Sequence, residues 1–289
     1  MNLIRLRFIP YFFSGILVLI SIFGLAFYRL DFSTEFKGGT NVVFTVDSSE
    51  KEIKKALSGD LKKDFDLKKS QNGYSLTVKQ SLEESDLTKL KNTLSTKLKN
   101  AKINEVSVVS ATVGKELITK TLIAVLTSVI VIFIFVAYSF KNKVSATSAI
   151  LAMLHDTLIL LGFFAFFGKF FGAEVDLLFV TAVLTVLSFS LYDTIVIFDR
   201  VRDNIKKQNV SDYEYVLDHS IKQTMVRSIN NSLTSILALF ALSLFVSGSI
   251  YWFSVALLIG VIFGTYSSPF VAVNLFYDLE KLLIKLKNR

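Results

Sequence analysis

One carboxylate stands inside an apolar segment of this sequence. Asp193 lies in SLYDTIVIFDRVRDN (190–204), where Ile, Val and Phe follow it well before the charged residues that end the segment. A charged side chain in hydrocarbon is costly and rare, and by default it marks a functional site. A carboxyl group placed there can bind a proton and release it across a low-dielectric barrier. We therefore predict that Asp193 is a proton-binding group within a membrane.

A candidate counter-charge lies further along the chain. Arg227, Asn230, Asn231 and Thr234 stand at positions i, i+3, i+4 and i+7, which places them on one face of a helix. A guanidinium stays protonated and stabilises a nearby carboxylate. We expect Arg227 to lie at a depth similar to that of Asp193 and to tune its proton affinity. The alternative is that Arg227 only anchors its helix at the membrane surface.

Other polar residues accompany this pair on predicted membrane helices. The helix of Asp193 carries a stripe of hydroxyl groups and one serine beside it, namely Thr181, Thr185, Ser188, Tyr192 and Ser190. His155 and Asp156 are adjacent in LHDT (154–157), so we expect their side chains to point to different faces. These residues, with Asn230, Asn231 and Thr234, are either hydrogen-bonding partners between helices or members of a secondary polar network.

Small residues form a stripe in the last apolar segment. Ala256, Gly260, Gly264 and Ser267 share one helix face and contain a GxxxG pattern, which lets another helix approach closely. Pro269 follows, and it is expected to kink this helix. We predict packing rather than chemistry for these residues.

The elements that position these residues are membrane helices. The chain is 52% hydrophobic, with 27 Phe and only 2 Pro among 289 residues, and its mean hydropathy is +0.53. The apolar residues are concentrated in long runs, which is typical of a polytopic membrane protein. Six spans are predicted, near 10–28, 117–138, 144–167, 176–198, 230–248 and 252–276. The first is read as a retained anchor, because it is long for a signal peptide and lacks a clear cleavage site.

Basic residues set the expected orientation. Lys and Arg cluster before span 1 and after spans 2, 4 and 6, and all four positions fall on one side of the membrane. Both termini are therefore predicted to be cytoplasmic.

Spans 4 and 5 are expected to be joined by about thirty polar residues, and spans 5 and 6 by a short turn near Gly248. The predicted division is 1–28 for the N-terminus and span 1, 29–113 for one extracytoplasmic domain, and 114–289 for spans 2–6.

The domain at 29–113 has the pattern βαββαβ. Strands are predicted at 40–46, 65–70, 74–80 and 103–113, and helices at 48–58 and 81–100. Asn72 and Gly73 separate the second and third strands, and Asn-Gly is a strong hairpin signal. Leu87, Leu90, Leu94 and Leu98 define the buried face of the second helix. This order predicts a small ferredoxin-like α+β domain.

Composition argues against several classes of function. The chain has no Cys and only two His, so a thiolate site and a histidine-rich metal centre are excluded, and we expect no metal and no cofactor. The net charge of +8 does not come from a basic stripe with interleaved aromatics, so we expect no nucleic-acid partner. The outer domain shows no catalytic constellation, and we expect no enzymatic activity.

Five segments in register resemble one family. DTIVIFDRVRDN, SIKQTMVRSINNSLTSIL and IGVIFGTYSSPFVA resemble the fourth, fifth and sixth helices of SecF, the smaller subunit of the SecDF protein-export complex. EFKGGT and LHDT resemble the family's Gly-Gly-Thr segment and His-Asp pair. The sequence departs from the family pattern at Tyr192, where Asn is usual, and at Glu35, where Asp is usual.

The resemblance implies a function and partners. SecF belongs to the resistance-nodulation-division superfamily of proton-coupled exporters, in which Asp193 would match the essential membrane carboxylate and Arg227 its partner arginine. The family pairs with SecD in a heterodimer, lies in the bacterial inner membrane and promotes late steps of preprotein export through the SecYEG channel. Two alternatives remain open. One is an independent proton-coupled exporter of lipids or small molecules, and the other is a structural subunit that stabilises SecD or the channel.

Overall fold

The computed structural model describes residues 3–58, 65–70, 73–78, 80–98, 100–140, 142–208 and 213–287. Six helical segments are long and apolar enough to cross a membrane. The helices of this bundle are α1 (Phe8–Phe27), α5 (Ala111–Ser139), α6 (Lys143–Phe171), α7 (Leu177–Gln208), α8 (Tyr213–Phe245), α9 (Gly248–Ser267) and α10 (Val273–Lys287). A short π-helix, Ser268–Ala272, joins α9 to α10 and contains Pro269. Together α9, the π-helix and α10 form the sixth candidate span, Gly248–Lys287, so the six-span prediction is confirmed.

A small α+β domain follows α1 and a one-turn helix, α2 (Thr34–Lys37). Its elements are β1 (Gly39–Thr45), α3 (Glu50–Ser58), β2 (Phe65–Ser70), β3 (Gly73–Val78), α4 (Glu84–Lys97) and β4 (Lys102–Val109). The sheet order is β2-β3-β1-β4, and every neighbouring pair is antiparallel. This is the ferredoxin-like arrangement predicted from the sequence.

The two helices of this domain cover one face of its sheet. Phe44, Leu76 and Val78 of the sheet pack with Ile53 and Leu94 of the helices in a common core. Leu90, Leu94 and Leu98 are buried as the amphipathic pattern predicted, and Leu87 is partly buried. Ser70 pairs with Gly73, which has a φ of 151°, and the predicted turn residue Asn72 lies outside the described residues.

The last strand of the domain is shorter than predicted. It ends at Val109, and the residues from Ala111 onward belong to α5. The side chain of Ser110 accepts a hydrogen bond from the backbone N–H of Val113 at 3.3 Å and caps this helix. The alternation of Val and Ser continued past the strand end, which is why the prediction to residue 113 was wrong.

The predicted polar connection between spans 4 and 5 was also wrong. Helix α7 continues to Gln208 and α8 begins at Tyr213, so only 209–212 lie between them. The polar residues extend the two helices instead, and Val216, Leu217 and Ile221 are buried against the bundle. Hydropathy detects only the part of a helix that lies in hydrocarbon, and it therefore missed these extensions.

Small residues bring the bundle helices into close contact. A side chain at Gly260 of α9 would lie 1.9 Å from Cγ2 of Val186 on α7, and one at Gly264 would lie 3.3 Å from Cα of Ser190. Gly162 of α6 likewise admits Ser21 of α1, because an added Cβ would lie 2.3 Å from the Cβ of that serine. These contacts hold α9 against α7 and α1 against α6.

The domain is tied to the bundle by backbone hydrogen bonds. The N–H of Val175, between α6 and α7, donates to the carbonyl of Asp31 at 2.7 Å, and the N–H of Ser33 donates to the carbonyl of Val175 at 2.9 Å. The segment after α1 is thereby paired with the start of α7. Gly38, with a φ of 75°, then ends α2 and redirects the chain into β1.

Candidate functional site

Asp193 lies near the middle of α7, and its side chain is buried. The residue is only 6% exposed, and Ser228 and Arg227 of the neighbouring α8 interact with its carboxyl group. The Ser228 hydroxyl is buried beside that carboxyl group, but it makes no hydrogen bond of normal geometry among the described residues. Burial of an ionisable group within a membrane helix with so few fixed partners is unusual and favours a functional role.

Arg227 contacts the residue next to Asp193. One guanidinium nitrogen donates a hydrogen bond to the Tyr192 hydroxyl at 2.9 Å. Among the described side chains, no ion pair within 4.0 Å joins Arg227 to Asp193, although the guanidinium still acts electrostatically on that carboxyl group. The sequence placed the two charges at similar depth, and the structure brings them near each other with Tyr192 holding the arginine.

The polar stripe that the sequence predicted on α8 faces outward. Arg227, Asn230, Asn231 and Thr234 are exposed, and on α7 Tyr192 is 48% exposed while Thr181 and Ser188 are also exposed. The two sets form one polar face, defined here as the α7–α8 polar face. Backbone carbonyls one turn earlier accept from the hydroxyls of Thr181, Ser188 and Thr234. Amide and guanidinium groups in hydrocarbon are costly unless another molecule covers them.

A second polar cluster is buried among α6, α7 and α9. Asp156 of α6 is 1% exposed, and one of its carboxyl oxygens accepts hydrogen bonds from Ser190 of α7 at 2.6 Å and from Ser267 of α9 at 2.5 Å. The other oxygen lies 2.9 Å from Nδ1 of His155. Three helices therefore meet at one carboxyl group, which is termed here the Asp156 cluster.

Two sequence-based expectations change at the Asp156 cluster. The side chains of His155 and Asp156 do contact each other, so the expectation that they point to different faces is wrong. Neighbouring positions on a helix are about 100° apart, and the imidazole ring and the carboxyl group span that angle by bending toward each other. Ser267 was assigned only to packing, but it also donates to Asp156. Gly264, one turn earlier on α9, allows the close approach that this bond needs.

The structure separates the predicted secondary network into two parts. Ser190, His155 and Asp156 belong to the Asp156 cluster, whereas Tyr192 pairs with Arg227. Asn230, Asn231 and Thr234 lie on the exposed α7–α8 polar face. A further pair, Thr194 and Ser268, joins α7 to the π-helix at 2.9 Å beside the Asp156 cluster.

Carboxylates at the junction with the outer domain have roles that were not predicted from the sequence. Glu35 accepts a hydrogen bond from the N–H of Leu177 at 3.0 Å, and Asp176 accepts from Phe179 at 2.7 Å, so both cap α7. Glu174 lies 3.8 Å from Lys68 of β2, and burial raises its pKa to about 7 against the lowering effect of that lysine. An Asp directly before an apolar run is a helix-start signal that could have identified Asp176.

The sequence is similar to known proteins over most of its length. Residues 89–282 match the family described as "Protein export membrane protein SecD/SecF, C-terminal". A protein translocase subunit SecF from Sebaldella termitidis is 33% identical over 289 residues, covering 97% of this chain and 92% of that protein. The corresponding subunit of Thermobaculum terrenum is 40% identical over 214 residues, covering 72% of this chain and 67% of that protein.

A solved structure has the same fold. The crystal structure of SecDF from Thermus thermophilus, a translocon-associated membrane protein, superposes with a TM-score of 0.86 at 24% identity. It covers 100% of this chain, and this chain spans 39% of that longer protein. Identity at this level supports the fold, and the family assignment depends on the sequence relatives. The chain therefore belongs to the SecF family of protein translocase subunits.

Proposed function

We propose that this chain is the SecF-type half of a proton-coupled complex for protein export, and that Asp193 binds and releases the proton. One observation carries this proposal. A buried carboxyl group without an ion pair among the described residues lies beside the exposed α7–α8 polar face. A carboxyl group in that position can change its protonation when the groups around it move.

Arg227 is the group whose movement matters most in this proposal. Its guanidinium is held by Tyr192, one residue from Asp193. Transfer of the guanidinium from the tyrosine hydroxyl to the carboxylate would stabilise the ionised form, and its return would favour proton uptake. The Tyr192 hydroxyl is a neutral acceptor that binds the Arg227 guanidinium when it is not paired with Asp193.

A SecD-type subunit is the partner proposed for the α7–α8 polar face. The chain spans 39% of the matched SecDF protein, and the Bacillus subtilis relative is named protein translocase subunit SecDF. A second half of this kind would cover Asn230, Asn231 and Arg227 and remove them from lipid. The same pairing would make the carboxyl group of Asp193 part of an interface between two subunits.

The chain offers a direct test of this interface because it contains no Cys. A single cysteine at Asn231→Cys should cross-link to cysteines placed in a co-expressed SecD-type subunit. Phe12→Cys on α1, where the side chain is 72% exposed, is the matched control and should not cross-link. Equal cross-linking at both positions would contradict the assigned face.

The complex is proposed to act with the SecYEG channel on preproteins in transit, at late steps of export and driven by the proton motive force. Its proposed site is the bacterial inner membrane, with both termini cytoplasmic and the ferredoxin-like domain on the opposite side. The distribution of Lys and Arg supports this orientation. The names of the sequence relatives support the role in translocation.

The proton role is tested in inverted membrane vesicles by completion of preprotein translocation with and without a proton gradient. Asp193→Asn removes the titratable group with little change of shape, and we expect it to abolish the gradient-dependent gain. Asp199→Asn is the matched control, because Asp199 lies on the same helix but is exposed and paired with Arg202 at 3.1 Å. It should keep the gain.

Equal expression and equal assembly with the partner are checked first. A full gradient-dependent gain in Asp193→Asn would show that this carboxyl group does not couple protons to export. The structural-subunit function would then be the better interpretation.

A further inference from the structure

A cavity of about 660 Å³ lies where the outer domain meets the membrane bundle. One wall comes from the ends of α1 and α6, and the opposite wall comes from β2 and β3 through Asp66, Lys68 and Thr77. The cavity is open on one side. It belongs neither to the Asp156 cluster nor to the α7–α8 polar face, so the proposed proton site leaves it without a role.

Four cations line this cavity, and they fall into two kinds. Lys37 and Lys68 are both bound by Asp31, the former at 2.7 Å, and Lys68 also lies 3.8 Å from Glu174. Arg29 and Lys169 are different. Both are exposed, and neither has an ion-pair or hydrogen-bonding partner within the ranges that the structure describes. Two of the cations are therefore free to bind an anion.

The two free cations are not explained by membrane orientation. They lie on the same side as the outer domain, and short connections on that side normally carry few Lys and Arg residues. Arg29 also holds a φ of 57°, an uncommon backbone conformation for a residue other than glycine. Such backbone conformations persist where the surroundings impose them, and they cluster at sites that bind ligands.

The depth of the cavity matches the headgroup layer. The apolar helices end at Phe27 and Phe171, and the cavity is lined by Tyr28 and Arg29 just after α1 and by Gly168 and Lys169 in the last turn of α6. Phe27, Phe170 and Phe171 are 71%, 62% and 58% exposed. Tyrosines at the ends of spans mark the membrane interface, and Tyr28 lines the cavity. The polar layer extends only several Å beyond the hydrocarbon. A molecule at the open side would therefore be a lipid of the adjoining leaflet.

We propose that this cavity binds a phosphate group between Arg29 and Lys169, and that the phosphate is supplied by a phospholipid headgroup of the adjoining leaflet. Arginine and lysine are the usual phosphate-binding side chains. Asp66 lines the same cavity, and its carboxylate matches the ammonium group of a zwitterionic headgroup. The acyl chains would lie along the exposed phenylalanines of α1 and α6.

The test uses the full chain purified with its SecD-type partner. Phospholipid that remains bound after detergent washing is counted by native mass spectrometry and by extraction. The double variant Arg29→Gln/Lys169→Gln should retain at least about tenfold less phospholipid, because two charge-assisted contacts are lost. The swap Arg29→Lys/Lys169→Arg should restore retention.

Two lysines near the start of α5, on the side of the outer domain, supply the matched control. Lys115→Gln/Lys120→Gln removes two exposed cations from the domain side of the bundle and should retain phospholipid as the wild type does. Equal retention in the cavity variant and the wild type, with unchanged melting temperatures, would overturn the proposal. Displacement of the lipid by millimolar inorganic phosphate would overturn the lipid as its source.

Discussion

Asp156 and Asp193 are both buried carboxyl groups within membrane helices, but their surroundings differ. Asp156 receives hydrogen bonds from Ser190 and Ser267 and contacts His155, so its bonding is complete within the chain. Asp193 has Arg227 nearby, but that guanidinium is bound by Tyr192 on an exposed face. A carboxyl group in a membrane helix can therefore stabilise the fold or take part in assembly with another subunit, and its hydrogen-bonding partners indicate which.

The largest expected effect is on stability at the Asp156 cluster. Asp156→Val removes the acceptor of two buried hydroxyls, and we expect a loss of about 3 kcal/mol in the free energy of unfolding. Asp193→Val should lose less than about 1 kcal/mol in the isolated chain, because few fixed bonds are broken. Chemical or thermal unfolding in detergent measures both. Equal losses at the two positions would show that the two carboxyl groups contribute alike to the fold.

The packing that builds the Asp156 cluster can be tested at Gly260. Gly260→Val places a branched side chain against Val186, and overpacking should cost about 2 kcal/mol and separate α9 from α7. Gly15→Val on α1 is the control, because an added Cβ there meets no atom within 4 Å. A similar loss of melting temperature in both variants would indicate a helix-propensity effect instead of close packing.

A third carboxylate, outside the membrane, extends the comparison to pH. Burial raises the pKa of Glu174 to about 7, so its contribution to stability is fully present below about pH 4.5 and is lost as the pH rises through 7. Glu174→Gln imitates the protonated acid. We expect it to raise stability by about 1–2 kcal/mol at pH 8 and to change it little at pH 4.5.

Melting curves of wild type and Glu174→Gln across this pH range make the measurement. Lys68 and Asp31, which face Glu174, remain charged over the whole interval above pH 5. A pH slope that is the same in both proteins would assign the titration to another group.

The smallest expected effect concerns the hydrogen bond between Arg227 and Tyr192 on the α7–α8 polar face. In a double-mutant cycle on gradient-dependent translocation, Arg227→Gln and Tyr192→Phe should couple by about 0.5–1 kcal/mol, because they remove the same hydrogen bond. Arg227→Gln and Ser267→Ala should be additive, since Ser267 belongs to the other cluster. Coupling of the second pair would mean that the two carboxylate sites are one network.

Much of the fold could be predicted because its signals are local. Long apolar runs identify spans, and the alternation of apolar residues with Asn-Gly identifies the strands of the outer domain. The helical extensions around 209–212 were missed because polar helices outside hydrocarbon have no hydropathy signal. The full set of elements therefore depends on contacts that only the folded bundle supplies.

The residues of the candidate site were named from the sequence, but their division into two separate clusters was not predicted. Helix periodicity grouped Arg227 with Asn230, Asn231 and Thr234, and these residues do share one face. No sequence rule assigns Ser190 to Asp156 instead of Asp193, since three helices must meet before that choice exists. The caps formed by Glu35 and Asp176 likewise depend on tertiary contacts across the junction.

Glu35 has a mechanical consequence. It holds the first residue of α7, and Asp193 lies about 24 Å further along the same unbroken helix. A helix of this kind transmits axial displacement as a stiff rod, with no loop to absorb it. An axial shift of α7 at Asp193 must therefore either displace the base of the ferredoxin-like domain or break the hydrogen bond from Leu177 to Glu35.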